Sequence, residues 1–512
     1  MKKLNVFLVI ATLSLTMNNL FAADTVTNGT INETVNWILT TDSVFTVSGE
    51  GDMPDYNSWG SPWYNDRQKI KDVVIETGVT RIGNNAFNSC SNLFSVIIGD
   101  SVKSIGRSAF ENGENLYSVV FGRGIKEIDM YAFENCNNLS TVSFNADSCG
   151  DFSMGFSHPF SNITTLETIN IGSNVKRIPA YFAYRLKLRS IDIPNSVTSI
   201  GVSAFGFCDS LTDVIIGSGV KKIEYSAFGY CGNLANVYFN ADSCVNFAVT
   251  TFTNDTMLQT INIGNNVKLI PSNFAKELRL SYIDIPNSVQ LIGGSAFYNC
   301  TNLLSVSMGN GVKNIGDYAF SGCTNLANIN FSDSLKIIGS NAFAYCRNII
   351  SITIPESVTS IGSYAFSNML SLDTVRVFWD MPVDIESMGV FSGVPDISQT
   401  KLIVPCSAIQ DYKAASDWKK FDVICDGYNV NTENTLKAGY KALLSYPNPT
   451  VNGVVTIKPT KAGEALEIYN IAGKRVGIRV TSEQESTLNL QELPKGAYFV
   501  KVGGKTAKVV KL

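Results

Sequence analysis

The sequence is poor in charge and nearly devoid of histidine. Of its 512 residues, 16% are Asp, Glu, Lys or Arg and one is histidine, whereas charged residues make up about 25% of an ordinary soluble protein. The formal net charge is -4 and the isoelectric point is near 5.4. Because affinity for phosphate backbones depends on a surplus of Lys and Arg, we do not expect this chain to bind nucleic acid.

The single histidine, His158, stands in a Ser-His-Pro-Phe segment with no serine or cysteine nucleophile motif nearby. A catalytic dyad needs a nucleophile and a base within hydrogen-bond reach, so we interpret His158 as a loop residue. The chain also lacks closely spaced ligand sets such as Cys-x-x-Cys, and it lacks a glycine-rich phosphate loop between a strand and a helix. We therefore expect no metal site, no cofactor and no enzymatic activity.

No stretch of the chain is apolar over the roughly 18 residues that a membrane-spanning helix needs. Residues 1–22 begin with Lys2 and Lys3, continue through an apolar stretch from Val6 to Leu15 and end in small residues. This is the layout of a secretory signal peptide. We therefore predict an exported protein whose mature chain has no transmembrane segment.

What the chain has in abundance is a phrase of about 23 residues, Ile-Gly-x-x-Ala-Phe-x-x-Cys-x-Asn-Leu-x-x-Val-x-Ile-Gly. A period of this length is typical of a solenoid, in which each coil stacks on its neighbours. The longer phrase Ile-Asp-Ile-Pro-Asn-Ser-Val starts at Ile191 and again at Ile283, and this separation of 92 is four times 23. A block of about four coils is therefore interpreted as duplicated. The repeated phenylalanines, which we expect to form a buried ladder, are Phe87, Phe110, Phe133, Phe205, Phe228, Phe297, Phe320, Phe343 and Phe366.

Thirteen strand-like phrases follow one another between about residues 70 and 377, at spacings of 22 to 27 residues. Each phrase alternates, so that Val96 and Ile98 are expected to face the core while Ser95 and Ile97 face outward. Stacking in register predicts a long parallel sheet. The phrases are centred on Val96, Val119, Val142, Ile169, Ile191, Val214, Val237, Ile261, Ile283, Val306, Ile329, Ile352 and Val375.

The predicted fold is mainly β: a solenoid of about 13 coils with caps, followed by a small C-terminal β-sandwich. Caps are expected because an uncovered end coil would expose its core and its unpaired strand edge. The predicted segments are a signal peptide at 1–22, an N-terminal cap at 23–70, the solenoid at 71–377, a C-terminal cap at 378–425, a linker at 426–444 and the sandwich at 445–512.

The chain has eleven cysteines, an odd number. Seven lie three residues after a repeat phenylalanine, where small buried apolar side chains are expected. Cys149 and Cys244 end the phrase Asn-Ala-Asp-Ser-Cys, which occurs at 145–149 and again at 240–244, and they are interpreted in the same way. Cys406 and Cys425 lie outside the repeat, and an oxidising compartment favours a disulfide between them. The seven repeat cysteines are Cys90, Cys136, Cys208, Cys231, Cys300, Cys323 and Cys346.

The outward strand positions form the predicted functional surface. They are mostly hydroxyl and amide side chains, which suit many weak hydrogen bonds and little electrostatic attraction. Aromatic rings and carboxylates concentrate at the candidate ligand-binding residues Ser190, Asp192, Tyr238, Tyr282 and Asp284. The plainer alternative is that these are solvated strand positions. The two carboxylates are predicted four coils apart, roughly 20 Å by strand spacing, which is too far for a two-carboxylate active site.

The repeat region from 70 to 377 resembles the BspA-like, Treponema-type leucine-rich repeats of bacterial surface proteins. The opening segment, with Trp37, Gly-Glu-Gly-Asp-Met-Pro-Asp-Tyr at 49–56 and Pro62-Trp63, also looks like the segment that precedes such repeats. The coils near 150–160 and 246–256 depart from the pattern because they lack the Ala-Phe phrase. The resemblance implies a leucine-rich-repeat solenoid and adhesion to host matrix proteins or to other bacteria.

The C-terminal region is similar to the sorting domains of type IX secretion cargo. The resemblance implies that the type IX secretion machinery carries the chain across the outer membrane and that the domain is then removed. It also implies that the body stays at the cell surface or is released. The sorting-signal residues that match the pattern are Pro447, Asn448, Pro449, Gly453, Gly473, Gly496 and Tyr498.

The leading hypothesis is a non-enzymatic surface binding protein or adhesin for an extracellular protein or glycan. A glycan-capture protein for nutrition and a structural stalk or surface-layer component are the alternatives. Ligand screens would separate the first two, and self-association without a ligand would indicate the third. The sequence leaves open the ligand, the oligomeric state, the anchoring and the site of C-terminal cleavage.

Overall fold

The computed structural model describes residues 24–154 and 158–425 and, beyond them, the backbone of six strands between 454 and 511. The chain forms two compact units, Met1–Asp426 and Gly427–Leu512. The predicted signal peptide at 1–22 and the predicted linker at 426–444 lie outside the described residues.

The first unit is a β-solenoid, as predicted. All thirteen phrases predicted to be extended contain a strand, and one more strand of this row precedes them and another follows, so the solenoid has about 15 turns. We call this row the front strands. They are Asp72–Ile75, Ser95–Ile98, Ser118–Phe121, Thr141–Phe144, Thr168–Ile171, Ser190–Ile193, Asp213–Ile216, Asn236–Phe239, Thr260–Ile263, Tyr282–Ile285, Ser305–Met308, Asn328–Ile329, Ser351–Ile354, Thr374–Val377 and Lys401–Val404.

A second row of shorter strands forms its own series of parallel sheets. We call these the back strands, and most of them are two residues long. They are Gly51–Asp52, Val79–Ile82, Ser104–Ile105, Glu127–Ile128, Arg177–Ile178, Ser199–Ile200, Lys222–Ile223, Asn246–Phe247, Leu269–Ile270, Leu291–Ile292, Asn314–Ile315, Ile337–Ile338 and Ser360–Ile361.

Within each front sheet, strands pair in parallel and in register, so equivalent repeat residues lie side by side. Val96 pairs with Val73 on one side and with Val119 on the other. These three valines are buried, whereas Ser95 and Ile97 on the same strand are partly exposed. The two-residue period of an extended chain therefore puts the core on one side and the outward row on the other, as predicted.

Both ends of the solenoid are covered. At the N-terminal end, Trp63 is buried and its ring stacks on Phe87 at 5.4 Å. At the C-terminal end, the ring of Trp418 lies 5.7 Å from that of Phe391. The elements of the ends are the antiparallel strands Thr25–Thr30, Val35–Thr40 and Val44–Gly49, the parallel strand Asp422–Cys425, the 3-10 helices Tyr64–Lys69, Cys406–Ala408 and Trp418–Lys420, and the α-helix Ile409–Ala414.

The repeat phenylalanines form the predicted ladder. The rings of Phe87 and Phe110 are 5.2 Å apart and 6° from parallel, and those of Phe110 and Phe133 are 5.1 Å apart and 5° from parallel. All three side chains are buried. Each coil therefore offers its neighbour an offset aromatic contact in addition to the apolar area that it buries.

The aromatic stack is interrupted at Phe182 and Phe274, which meet the next coil's ring edge-on. The rings of Phe182 and Phe205 are 6.0 Å apart with an interplanar angle of 79°. In this coil the amide of Ala183, the residue after Phe182, donates to the carbonyl of Ala204 in the next coil. In the following coil the donor is the amide of the ring residue itself, Phe205. The hydrogen bond between coils is thus shifted by one residue relative to the phenylalanine, and the ring is turned as a result. The front sheet is also interrupted beside the coils of Phe182 and Phe274.

The repeat cysteines have a polar role that the sequence analysis missed. Six of the seven donate a thiol hydrogen bond to a backbone carbonyl of the preceding coil, at sulfur-to-oxygen distances of 3.0 to 3.2 Å. All nine cysteines outside the disulfide are buried free thiols. Burial raises the pKa of Cys136 and of Cys346 to about 12. The thiol therefore fills a small apolar space and also adds a hydrogen bond to a backbone carbonyl of the neighbouring coil.

The second unit is described at the level of its strands. Val454–Ile457 pairs antiparallel with Ser486–Asn489, and the other four strands form one antiparallel sheet. Those four are Ala465–Asn470, Arg475–Val480, Gly496–Val502 and Lys505–Lys511.

Candidate binding surface

The structure places all five candidate ligand-binding residues on the outward row of the front strands. Ser190, Asp192, Tyr238 and Asp284 are exposed, and Tyr282 is half-buried. The outward position follows from the alternation of side chains along a strand. Each candidate residue has at least one buried apolar neighbour in its strand, and that neighbour points into the core.

These residues share a face but do not meet at one point. Asp192 pairs with Ile215, which pairs with Tyr238, which pairs with Asn262. At about 4.8 Å per strand, Asp192 and Tyr238 lie roughly 10 Å apart. Asp284 is further along the row and belongs to another sheet, so the candidate residues form an extended strip.

The centre of the strip combines apolar and polar groups. Ile215 and Tyr238 are 39% and 42% exposed, a large fraction for apolar side chains on neighbouring strands. Beside them, the carboxylate of Asp213 accepts hydrogen bonds from the side-chain amide of Asn236 at 3.0 Å and from the hydroxyl of Thr212 at 2.6 Å. The strip therefore offers a small apolar patch with an already ordered polar border.

Tyr282 differs from the other candidates in its burial. Burial, together with a smaller effect of the neighbouring Asp284 carboxylate, raises the pKa of the Tyr282 hydroxyl to about 12. The phenol is therefore neutral under ordinary conditions, and it can act as a hydrogen-bonding group but not as an anion.

A shallow groove of about 380 Å³ lies next to the strip, and the sequence analysis did not anticipate it. Asp192 lines it together with Pro194, Ile215, Gly217 and Asn240, which come from three successive coils. The available signal was the Ile-Pro-Asn turn that follows the front strand in both copies of the duplicated phrase. The groove gives the carboxylate of Asp192 a concave setting.

Cys406 and Cys425 are joined by a disulfide, with their Cα atoms 4.7 Å apart. Cys425 ends the strand Asp422–Cys425, where it pairs with Val404. The bond closes a loop of 19 residues and ties the last strand to the segment that follows Lys401–Val404. It therefore holds the end of the solenoid together.

His158 lies in a loop, as predicted, but its imidazole is 3% exposed. Its Nε2 donates to the carbonyl of Tyr181 at 2.7 Å, and its Nδ1 accepts from the amide of Phe160 at 3.1 Å. Burial lowers the pKa of His158 to about 4. One neutral tautomer satisfies both contacts, so His158 connects two coils and is not poised as a catalytic base.

Residues 24–154, 158–425 and the described C-terminal strands contain no group of three or more His, Cys, Asp or Glu side chains that could hold a metal ion. Among the helices that the structure describes, none is long and apolar enough to cross a membrane.

The sorting-signal residues lie in the second unit. Gly496 and Tyr498 belong to the strand Gly496–Val502. The remaining five, Pro447, Asn448, Pro449, Gly453 and Gly473, lie outside the described residues.

Two family models match the chain. Residues 60–182, 178–277 and 270–386 match the BspA type leucine rich repeat region, which is described with 6 copies. Residues 445–512 match the secretion system C-terminal sorting domain. No curated protein matches the chain.

The chain is also similar to solved structures of bacterial leucine-rich repeat proteins. A leucine-rich repeat protein from Bacteroides ovatus is 21% identical, with a TM-score of 0.38 over 77% of this chain and 99% of that one. One from Eubacterium ventriosum is 25% identical, with a TM-score of 0.30 over 62% of this chain and 94% of that one. A leucine rich cell surface protein from Faecalibacterium prausnitzii is 24% identical, with a TM-score of 0.26 over 72% and 98%.

The repeat match covers more than half of the chain, and it coincides with the solenoid and its phenylalanine ladder. The sorting-domain match coincides with the second unit. The chain therefore belongs to the family of BspA-type leucine-rich repeat proteins, and its type IX sorting domain marks it as an exported protein of the cell surface or the extracellular space.

Proposed function

We propose that the chain is a non-enzymatic surface binding protein, an adhesin, that engages an extracellular protein through the outward strip of its front strands. The observation that carries this proposal is the exposed pair Ile215 and Tyr238, set between the groove at Asp192 and the ordered side chain of Asp213. Exposed apolar contacts surrounded by satisfied polar groups are the usual make-up of a protein-binding patch.

The charged side chains of the strip are a few carboxylates, Asp192 and Asp284 among the five candidate residues, and most of its outward positions are uncharged. We therefore expect affinity to come mainly from contact area and repetition. Successive coils present equivalent outward positions in register, which allows a long ligand to make many similar contacts. An extended partner, such as a matrix protein, suits this arrangement better than a compact charged one. A glycan ligand remains the alternative occupant of the same strip.

Type IX secretion is the proposed route to the surface. The sorting domain would direct passage across the outer membrane, and cleavage within 426–444 would release the domain from the body. Deletion of 445–512 should abolish surface display. Unchanged display of the shortened chain would contradict this part of the proposal.

A paired substitution tests the binding strip. Immobilised full-length protein should capture at least one matrix protein from a panel of collagens, fibronectin and laminin. Tyr238→Ala should weaken that capture by tenfold or more, since a central aromatic anchor commonly contributes about 2 kcal/mol or more. Tyr225→Ala is the matched control, because Tyr225 is 61% exposed but lies outside the front strands.

Three other outcomes would redirect the proposal. Capture of glycans but no protein would favour the nutritional alternative, and self-association without any ligand would favour a stalk or surface-layer role. Equal loss of binding in the Tyr238 and Tyr225 variants would show that the front strip is not the binding surface.

A further inference from the structure

The position that leads into each back strand is occupied by a lysine in seven coils. Backbone hydrogen bonds hold this position side by side on successive coils. The amide of Lys126 donates to the carbonyl of Lys103 at 2.7 Å, and the amide of Lys336 donates to that of Lys313 at 2.7 Å. We call this position the lysine row. Its lysines, all exposed, are Lys103, Lys126, Lys176, Lys221, Lys268, Lys313 and Lys336.

In the middle of the row, lysines occupy alternate coils. Thr198 lies between Lys176 and Lys221, since its amide donates to the carbonyl of Lys176 at 2.8 Å and its carbonyl accepts from the amide of Lys221 at 2.9 Å. Gln290 is the equivalent residue in the second copy of the duplicated block. At about 4.8 Å per strand, lysines on alternate coils are roughly 10 Å apart. The five with this spacing are Lys126, Lys176, Lys221, Lys268 and Lys313.

The lysines of the row take part in none of the ion pairs found among the described residues. The ammonium of Lys126 instead donates to the neutral hydroxyl of Ser148 at 2.9 Å. The cations within the back strands differ, because each has a carboxylate partner. The fold therefore leaves the charges of the lysine row available to a ligand. The paired cations are Arg81 with Asp55, Arg177 with Asp151 and Lys222 with Glu224.

Few carboxylates stand next to the row along the chain. Of the seven residues that directly follow its lysines, Glu127 alone is acidic. Asp147 and Asp242 lie on coils between lysines, and Asp147 is paired with Arg123 at 3.2 Å. Two residues before each lysine the side chain is small, which leaves the lysine stems uncovered on that side. These small residues are Ser101, Gly124, Asn174, Gly219, Asn266, Gly311 and Ser334.

The shape of the row points to a linear ligand, because the cations form a line along the solenoid axis. Their sparse spacing does not match nucleic acid, since duplex DNA carries one charge per about 1.7 Å of its axis. Sites for single-stranded nucleic acid also use aromatic side chains on which bases stack. Neither the row nor the seven residues that follow its lysines include an aromatic side chain. A polysaccharide with one anionic group for every two sugar rings carries its charges far more sparsely.

We propose that the lysine row binds a linear acidic polysaccharide, laid along the solenoid axis, through its sulfate or carboxylate groups. Lysine is a point charge on a flexible stem, so each ammonium can adjust to the nearest anion while the strands fix the order of the stems. Affinity then comes from several weak contacts along one polymer chain. The row leads into the back strands, so it is separate from the front strip proposed above for a protein ligand.

The row supplies its own neutral substitute, because Gln290 already occupies this position in one coil. The row variant combines Lys176→Gln, Lys221→Gln, Lys268→Gln and Lys313→Gln. The matched control makes the same change of net charge at four exposed lysines outside the row. It combines Lys71→Gln, Lys187→Gln, Lys413→Gln and Lys419→Gln.

The experiment measures binding of full-length protein to immobilised heparin, chondroitin sulfate and hyaluronan, with uncharged dextran as the negative control. The wild type should bind at least one acidic polysaccharide and should not bind dextran. The row variant should weaken this binding tenfold or more at an unchanged melting temperature, and the control variant should weaken it less than twofold. Raising the ionic strength from about 0.15 M to about 1 M should also weaken it, because the Debye length falls from about 8 Å to about 3 Å.

A second variant with Lys221→Gln and Lys268→Gln alone should show an intermediate loss, and it keeps the test open if the row variant does not fold. Tyr238→Ala on the front strip should leave polysaccharide binding unchanged.

Three results would overturn the proposal. The first is that none of the acidic polysaccharides binds the wild type. The second is equal binding by the row and control variants, because net charge and not the row would then decide affinity. The third is that the wild type prefers duplex DNA or phosphatidylglycerol vesicles to every acidic polysaccharide, because the row would then serve another kind of partner.

Discussion

The thiol of Cys323 donates a hydrogen bond to the carbonyl oxygen of Phe297, one coil earlier, at 3.2 Å. The same relationship joins Cys346 to Phe320 at 3.2 Å. The two most regular features of the repeat, its phenylalanine and its cysteine, are thus coupled between coils. The phenylalanine contributes both a ring to the stack and a carbonyl to the thiol row.

Removal of one thiol should therefore lower the free energy of unfolding by more than the loss of packing alone would. Cys323→Ala removes one of the two hydrogen bonds that the buried carbonyl of Phe297 accepts, since the amide of Cys300 still donates to it at 3.3 Å. The loss should lower the free energy of unfolding by about 0.5–1.5 kcal/mol in addition to the small packing loss. Cys90→Ala is the matched control, since Cys90 is equally buried but makes no thiol hydrogen bond in the described structure. Urea denaturation of both variants measures the difference, and equal losses would show that the thiol is only a space filler.

Removal of one ring from the stack should be more severe. Phe320 is fully buried and stacks on both Phe297 at 5.0 Å and Phe343 at 5.2 Å. Phe320→Ala should reduce the free energy of unfolding by about 3–5 kcal/mol. Phe94→Ala should cost far less, because Phe94 is 53% exposed although it also stacks on a ring. Comparable melting temperatures for the two variants would argue against a continuous buried ladder.

Asp255 should make the protein less stable as the pH rises. Its folded-state pKa, raised by burial from 3.8 to about 8, means that the folded protein holds a proton that the unfolded chain releases. The associated stability is fully present below about pH 4 and is lost as the pH rises through about 8. Asp255→Asn cannot ionise, so its melting temperature should fall less than that of the wild type between pH 5 and pH 9. Parallel pH profiles would show that Asp255 is not buried in solution.

His158 should make the protein less stable as the pH falls. Burial lowers its folded-state pKa from 6.5 to about 4, so between these pH values the unfolded chain binds a proton at His158 and the folded protein does not. The associated stability is present above about pH 6.5 and is lost as the pH falls through about 4. His158→Thr, which installs the residue found at position 250 of the second copy, should flatten the acid limb of the melting-temperature profile. An unchanged acid limb would contradict the burial of the neutral imidazole.

The candidate binding strip shows what residue spacing can predict and what it cannot. Alternation along each strand places Asp192, Tyr238 and Asp284 on the outward row, because an extended chain sends every second side chain to the same side. Whether those residues converge depends on how coils stack. The structure spreads them along the row, and it adds the groove at Asp192, whose lining comes from turns of several coils.

The period of 23 residues determined the solenoid, its front strands and its buried phenylalanines, because each coil contacts mainly its neighbours and so repeats the same local packing. Only the tertiary structure decided what depends on register between coils. It turned the ring of Phe182 edge-on, gave the cysteines their carbonyl partners and buried Asp255. A one-residue shift changes which atoms face each other across about 5 Å between coils, and the order of residues along the chain does not record that distance.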